Sequence, residues 1–195
     1  MNPVINVSRR SFVKSIGLAS GGLILACNSS VFSEKEIKNL INFNPNLFVQ
    51  LNSDGSLHLI ASRSEMGNGV RTSLTSVIAD EMDADWNLVS VIQVTGDAQY
   101  GDQNTDGSRS IRYLYETMRQ MGATTRAMLI SAAAKTWQVE EKECTTDNHF
   151  VLHSSGKKLG YGDLVEIAKT LEVPTDVPLK SPKDFKYIGK NLKSV

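Results

Sequence analysis

Two short apolar runs, Leu47-Phe48-Val49-Gln50-Leu51 and Leu57-His58-Leu59-Ile60-Ala61, flank Ser53-Asp54-Gly55. Apolar runs joined by Asp-Gly predict a β-hairpin. The pattern then changes period. Val70, Leu74, Val77, Ile78 and Met82 recur at helical spacing and predict a helix over about Val70 to Met82. Asp83-Ala84-Asp85-Trp86 turns the chain into a third strand, Leu88 to Val94. Ile111, Leu114, Tyr115, Met118, Met121, Met128, Leu129 and Ala132 give an apolar face to a long helix from about Ser110 to Trp137. Its methionines form either an ordinary core stripe or a surface that neighbouring domains cover. A β segment at Phe150 to His153 and a helix from about Tyr161 to Leu171 follow. Pro174, Pro178 and Pro182 then mark extended chain. The order ββαβαβα makes the class α+β, a mixed sheet packed with helices.

Ahead of these elements the pattern is different. Ser8-Arg9-Arg10-Ser11-Phe12-Val13-Lys14 precedes an uncharged stretch ending at Ala26. Twin arginines in this setting are the address of the twin-arginine export route, which carries proteins already folded and usually loaded with a cofactor. The apolar core Ile16 to Ala26 is much shorter than the roughly 20 residues of a membrane-spanning helix. It reads as a signal h-region, and the expected location is periplasmic or membrane-attached. Ile24-Leu25-Ala26-Cys27 is similar to a lipoprotein cleavage site, which makes Cys27 a candidate for lipidation. Simple cleavage and retention as an anchor are the alternatives. The expected organisation is a signal over 1–27, a polar tether over 28–45, a folded segment over 46–172 and extended chain over 173–195.

Lys+Arg and Asp+Glu are balanced at 21 each, so no basic stripe points to nucleic acid. Cys27 and Cys144 are the only cysteines, too few for an iron–sulfur cluster held by four thiolates of this chain. His58, His149 and His153 are scattered through strand-like segments and read as packed or surface residues rather than metal ligands.

Chemistry concentrates in two loops. Glu65-Met66-Gly67-Asn68-Gly69-Val70 puts two glycines ahead of a helix N-terminus, where backbone N–H groups and the helix dipole favour an anion. Thr105-Asp106-Gly107-Ser108-Arg109-Ser110 repeats the theme before the second helix. Taken singly, the glycine loop is also an ordinary turn, and Ser108 or Ser110 an ordinary N-cap. Together the loops are expected to converge on one extended ligand.

Several motifs in order resemble one family. Ser64 to Ser73, Ala79-Asp80-Glu81-Met82-Asp83-Ala84-Asp85-Trp86, Gly107-Ser108-Arg109-Ser110, Arg119-Gln120-Met121-Gly122-Ala123, Leu159 to Leu164 and Leu179 to Gly189 resemble the molybdopterin-binding large subunit of molybdenum hydroxylases. This is the xanthine dehydrogenase and aldehyde oxidase family, and the branch is the isoquinoline 1-oxidoreductase β-subunit type. The resemblance implies molybdenum held by a molybdopterin, commonly its cytosine dinucleotide form. It implies oxidative hydroxylation of an aldehyde or N-heterocycle with water as oxygen source, and [2Fe–2S] clusters on a small partner subunit. Carried over by position, Gly67, Asn68 and Gly69 hold the pterin and phosphate part, and Thr105, Ser108 and Ser110 add hydroxyl and backbone donors. Arg109 and Arg112 either offset phosphate charge or solvate the helix start.

Two departures stand out. Asn68 occupies a place where the family often has the longer Gln. No residue matches the family's catalytic glutamate, which lies near the far end of a subunit several times longer. No catalytic residue is therefore assigned, and Glu65 reads as scaffold. The expectation is an N-terminal piece of such a subunit, inactive alone, partnered by the remainder of the subunit or a split subunit. A non-catalytic exported binding or assembly module that reuses the same domain is the alternative.

Overall fold

Asp54 and Gly55 turn the chain as the sequence predicts. Gly55 N–H donates to Asn52 O at 2.9 Å, and the Asp54 carboxylate accepts from Ser56 N–H at 2.8 Å and Ser56 Oγ at 2.7 Å. The turn joins β2 (Val49–Asn52) to β3 (Leu57–Ala61), with Val49 opposite Leu59 and Leu51 opposite Leu57. Strand alternation puts all four on one buried face. Each such aliphatic side chain contributes about 1.5–3 kcal/mol on burial. The computed structural model describes residues 42–195, and these lie in one unit. The twin-arginine segment, Cys27 and the tether up to residue 41 lie outside the described residues.

The sheet begins earlier than expected. β1 (Asn42–Asn46) pairs antiparallel with β2. Its sequence, Asn-Phe-Asn-Pro-Asn, is poor in strand formers, and Phe43 and Pro45 are the residues it buries. After β3 comes α1 (Val70–Glu81), then β4 (Val89–Gln93), which pairs with β3 in parallel. The four-stranded order is β1-β2-β3-β4. β3, α1 and β4 thus form a βαβ crossover, so the loops that follow β3 and β4 leave the same end of the sheet.

Helix α1 is buried on nearly every face: 10 of its 12 residues are inaccessible. A helix enclosed all round need not be strongly amphipathic. Its hydroxyls bond back to the helix, Thr75 Oγ1 to Arg71 O at 2.7 Å and Ser76 Oγ to Ser73 O at 2.9 Å. Helix α2 (Arg109–Trp137) packs across it. Gly122 makes the crossing close. A Cβ there would sit 2.6 Å from Ile78 O and 2.7 Å from Glu81 Cβ. Met118 and Met128 are buried and Met121 packs against the core, so the methionine face is a core stripe.

A second sheet, β5 (Cys144–Asp147), β6 (Phe150–His153) and β7 (Lys158–Gly160), is antiparallel. Only β6 was legible; β5 is Cys-Thr-Thr-Asp and β7 has three residues. Helix α3 (Tyr161–Ala168) docks on the hairpin turn, with Gly162 so close that a Cβ would meet Gly55 N and Ser53 O at 2.7 Å. His149 lies in the β5–β6 turn rather than in a strand. Its Nε2 faces Gly55 O at 2.9 Å and its Nδ1 accepts from Asp85 N–H at 3.4 Å, which makes it a neutral Nε2–H staple between three turns. Burial lowers its pKa, outweighing the Gly55 carbonyl and Asp85.

The stretch after residue 173 has no strand or α-helix, turns once through a 3₁₀ segment at Pro182–Asp184, and is bonded to α1. Asp80 and Glu81 are fully buried. The Asp80 carboxylate accepts from Lys186, Tyr187 and Ile188 N–H at 2.8, 3.1 and 2.9 Å. Glu81 accepts from Arg119 Nε at 2.7 Å and from Lys180 N–H at 3.0 Å. Lys180 Nζ lies 2.8 Å from Asp83 and 3.5 Å from Asp80. Buried charges survive only when paired and hydrogen-bonded, and here every carboxylate is. Burial alone raises the Asp83 pKa, but Lys180, Thr146 and Lys186 together hold it below the usual carboxylate range. Two of the resembling motifs, Ala79 to Trp86 and Leu179 to Gly189, are therefore one structural unit.

Candidate functional site

The βαβ unit sets the site. Residues 62–69 lead from β3 into α1, and residues 94–108 lead from β4 to α2. In sheets with parallel strands such carboxyl-end loops are where ligands collect. Here they are fastened to each other. Thr105 Oγ1 donates to Ser64 O at 2.8 Å. Arg63, 2% exposed, donates through Nη1 to Asn104 O and lies 3.5 Å from the Asp102 carboxylate.

The first loop is organised around Glu65. Its carboxylate accepts from the N–H groups of Gly67 at 2.7 Å, Gly69 at 3.0 Å and Arg71 at 3.1 Å. Those bonds, Arg71's foremost, hold its pKa below the usual carboxylate range. Gly69 stands at the N-cap with φ 75°, a left-handed conformation that strains any other residue. Asn68 Oδ1 accepts from Val70 N–H at 3.3 Å. The sequence suggested free N–H donors at the start of α1. The structure corrects this: the chain's own carboxylate has taken them. Glu65 is scaffold, as read.

The second loop behaves differently. Ser108 stands at the N-cap of α2, but with φ 58° and ψ 17°, and its hydroxyl makes no capping bond. An N-cap hydroxyl normally reaches the N2 or N3 amide from an extended backbone, and the left-handed one aims it elsewhere. Ser108 is thus the N-cap by position, but its hydroxyl does not cap the helix. Ser110 is 6% exposed and its Oγ has no hydrogen-bond partner. Arg109 faces its own loop, 2.6 Å from Asp102 and 3.3 Å from Asp106. Arg112 Nη2 donates to Tyr113 Oη at 3.0 Å. Bonding from Asn104 N–H, then Arg109 and Arg63, keeps the Asp102 pKa low despite desolvation.

Asn68, Thr105, Ser108 and Ser110 line one cleft of about 460 Å³, with apolar Val70 and Ile111 beside them. The cleft unites four of the seven residues singled out from sequence. Gly67 and Gly69 serve it by shaping the loop around Glu65. Arg109 holds the second loop in place through Asp102 and Asp106. Sequence reasoning missed buried Arg63 and the exposed Asp102 it pairs with, the ties between the loops; neither lies in a periodic pattern or a glycine motif. Among the described residues, no group of three or more His, Cys, Asp or Glu could hold a metal ion.

The chain matches the family model described as a molybdopterin cofactor-binding domain over residues 7–192. It is 30% identical over 187 residues to the isoquinoline 1-oxidoreductase subunit beta of Brevundimonas diminuta, covering 89% of this chain and 23% of that protein. It is 32% identical over 152 residues to a membrane-bound aldehyde dehydrogenase (pyrroloquinoline-quinone) of Gluconacetobacter polyoxogenes, covering 75% of this chain and 20% of that one. The chain thus spans about a fifth of the length of these curated relatives. Among solved structures, a Cu,Mo-CO dehydrogenase superposes with a TM-score of 0.50 at 18% identity, covering 60% of this chain and 15% of that chain, a likeness of fold alone. With its mixed sheet, its paired loops and a match along most of its length, the chain belongs to the molybdopterin cofactor-binding domain family.

Proposed function

We propose that the chain is the N-terminal part of a molybdenum hydroxylase large subunit and forms part of the cradle for a molybdopterin cofactor in its cytosine dinucleotide form. One observation carries the reading: the cleft between the two loops holds a buried hydroxyl, Ser110 Oγ, with no protein partner. A buried polar group is stable when something bonds it. The donor set fits the cofactor. Asn68, Thr105, Ser108 and Ser110 offer hydroxyls and an amide to a polar, extended group, and Val70 and Ile111 add apolar lining. When bound, the group supplies the redox metal at which an aldehyde or N-heterocycle C–H carbon is oxidised, with water as the oxygen source.

This chain's residues bind and orient. Arg63, Asp102 and Arg109 hold the second loop, and Glu65 holds the first. Turnover needs the remainder of the large subunit and a small [2Fe–2S] subunit. The twin arginines at 9 and 10 support export to the periplasm with the cofactor already inserted. The test is cofactor loading. The full chain is produced in a host that makes the cytosine dinucleotide, and pterin and molybdenum are quantified in the purified protein. Pterin and metal near one per chain, without hydroxylase activity, are expected. A folded chain that carries no pterin refutes the reading.

A further inference from the structure

One apolar side chain at the cleft stands apart from its kind. Met66 is 67% exposed, while Met82, Met118 and Met128 are at most 2% exposed and Met121 packs against the core. The first loop fixes it there. The Glu65 carboxylate accepts from the N–H groups of Gly67, Gly69 and Arg71, which clamps the backbone around Met66. The Met66 side chain lines the cleft together with Asn68, Thr105, Ser108 and Ser110. A thioether is a weak hydrogen-bond acceptor, and the buried Ser110 Oγ is left without a partner. The thioether is also the group of a flexible methionine that peroxides oxidise.

We infer that Met66 is a modification site: a hydroperoxide converts its thioether to a sulfoxide, and the new oxygen takes the Ser110 hydroxyl and closes the cleft. The sulfur lone pair attacks one peroxide oxygen. An S–O bond forms and the O–O bond breaks, so the sulfur loses an electron pair and the peroxide is reduced. The proton on the transferred oxygen passes to the departing hydroxide, which leaves as water. The product is polar, and methionine sulfoxide reductases reverse it. Asn68, Thr105 and Ser108 offer further donors to the same oxygen. The cleft therefore has two redox states, open as the thioether and self-occupied as the sulfoxide. The consequence, that an oxidised chain takes up less cofactor, rests on the cofactor reading; the chemistry at Met66 does not.

In the experiment the full ¹⁵N-labelled chain, free of cofactor, is treated with hydrogen peroxide. Peptide mass spectrometry follows each methionine, and amide chemical shifts follow the loops. Met66 gains oxygen at least about tenfold faster than Met82, Met118 or Met128, because susceptibility follows exposure. The Ser110 amide moves as Met66 is oxidised and returns after treatment with methionine sulfoxide reductase. In Ser110→Ala the second loop no longer responds, and in Met66→Leu peroxide moves nothing there. Oxidation of Met66 no faster than that of the buried methionines overturns the inference. So does a Ser110 amide that stays still, a second-loop response that persists in S110A, or the same response in M66L. In a host that makes the cofactor, Met66→Gln, a polar mimic of the sulfoxide, carries less pterin per chain than Met66→Leu; equal pterin in the two overturns the closure. Pterin content separates the two readings. A chain that purifies with pterin, but whose pterin-free form shows no Ser110 response, sinks this inference alone. Selective oxidation with a Ser110 response, in a chain that never acquires pterin, sinks the cofactor reading alone.

Discussion

Gly122 is where the crossing of α1 and α2 is most exposed to test. Gly122→Ala adds one methyl group whose carbon would lie 2.6 Å from Ile78 O, 2.7 Å from Glu81 Cβ and 3.2 Å from Ile78 Cα. Ordinary contact begins near 3.4 Å, so the helices must part by most of an ångström at that point. Two of the three atoms met are α1 backbone, which cannot swing away. Overpacking of this kind costs about 1–3 kcal/mol. Alanine returns about 1 kcal/mol over glycine in a helix interior. Glu81 adds to the cost, because displacing it stretches its 2.7 Å hydrogen bond to Arg119. The net expectation is a loss of about 2 kcal/mol. With an urea m-value of about 2 kcal/mol/M, the unfolding midpoint drops by about 1 M. Circular dichroism through an urea titration reads this directly. A midpoint within about 0.2 M of the parent, or above it, refutes the close crossing; propensity alone would raise it.

Three further outcomes follow from the same contacts. Gly162→Ala drives a Cβ into Gly55 N and Ser53 O and destabilises by about 2 kcal/mol, measured by thermal melting. Lys180→Met leaves Asp80 without its cation and Asp83 with Lys186 alone, and costs about 3 kcal/mol at neutral pH, a loss that shrinks in acid as Asp83 protonates. His149 is held below its ordinary 6.5 by burial, so the unfolded chain takes up the proton first. Its contribution to stability is complete above pH 6.5 and is lost as pH falls through the folded value, by at most about 1.4 kcal/mol per pH unit. Urea midpoints at pH 7.5 and 5.5 read this slope; His149→Gln flattens it, with a remainder from His58, which burial also lowers.

The hairpin, both long helices and the two loops were legible because each is written in short range: Asp54-Gly55 between apolar runs, a helical period, glycines before a helix. β1 was not, since its Asn-rich sequence forms a strand only because β2 offers it an edge. Ser110 and Thr105 were visible as hydroxyls, but not that one is orphaned and the other ties the loops. Ser108 looked like an N-cap and stands there, but only its left-handed backbone shows that its hydroxyl makes no capping bond. Likewise, spacing reveals a carboxylate near a glycine loop but not that Glu65 folds back on three amides. Lys180 is 97 residues from Asp83 in the chain, and no local pattern links them.

That separation dictates an order of assembly. Asp80 belongs to the first helix of the described domain, yet its described partners are residues 180 and 186–188. As the chain emerges from the ribosome, α1 is complete about a hundred residues before the groups that let its acid bury. Until then Asp80 lacks these partners, and burying its charge between sheet and α2 is costly. The same contact therefore checks translation. A chain broken off before residue 180 keeps both ligand-facing loops but leaves a naked carboxylate in its centre, and it marks itself as unfinished.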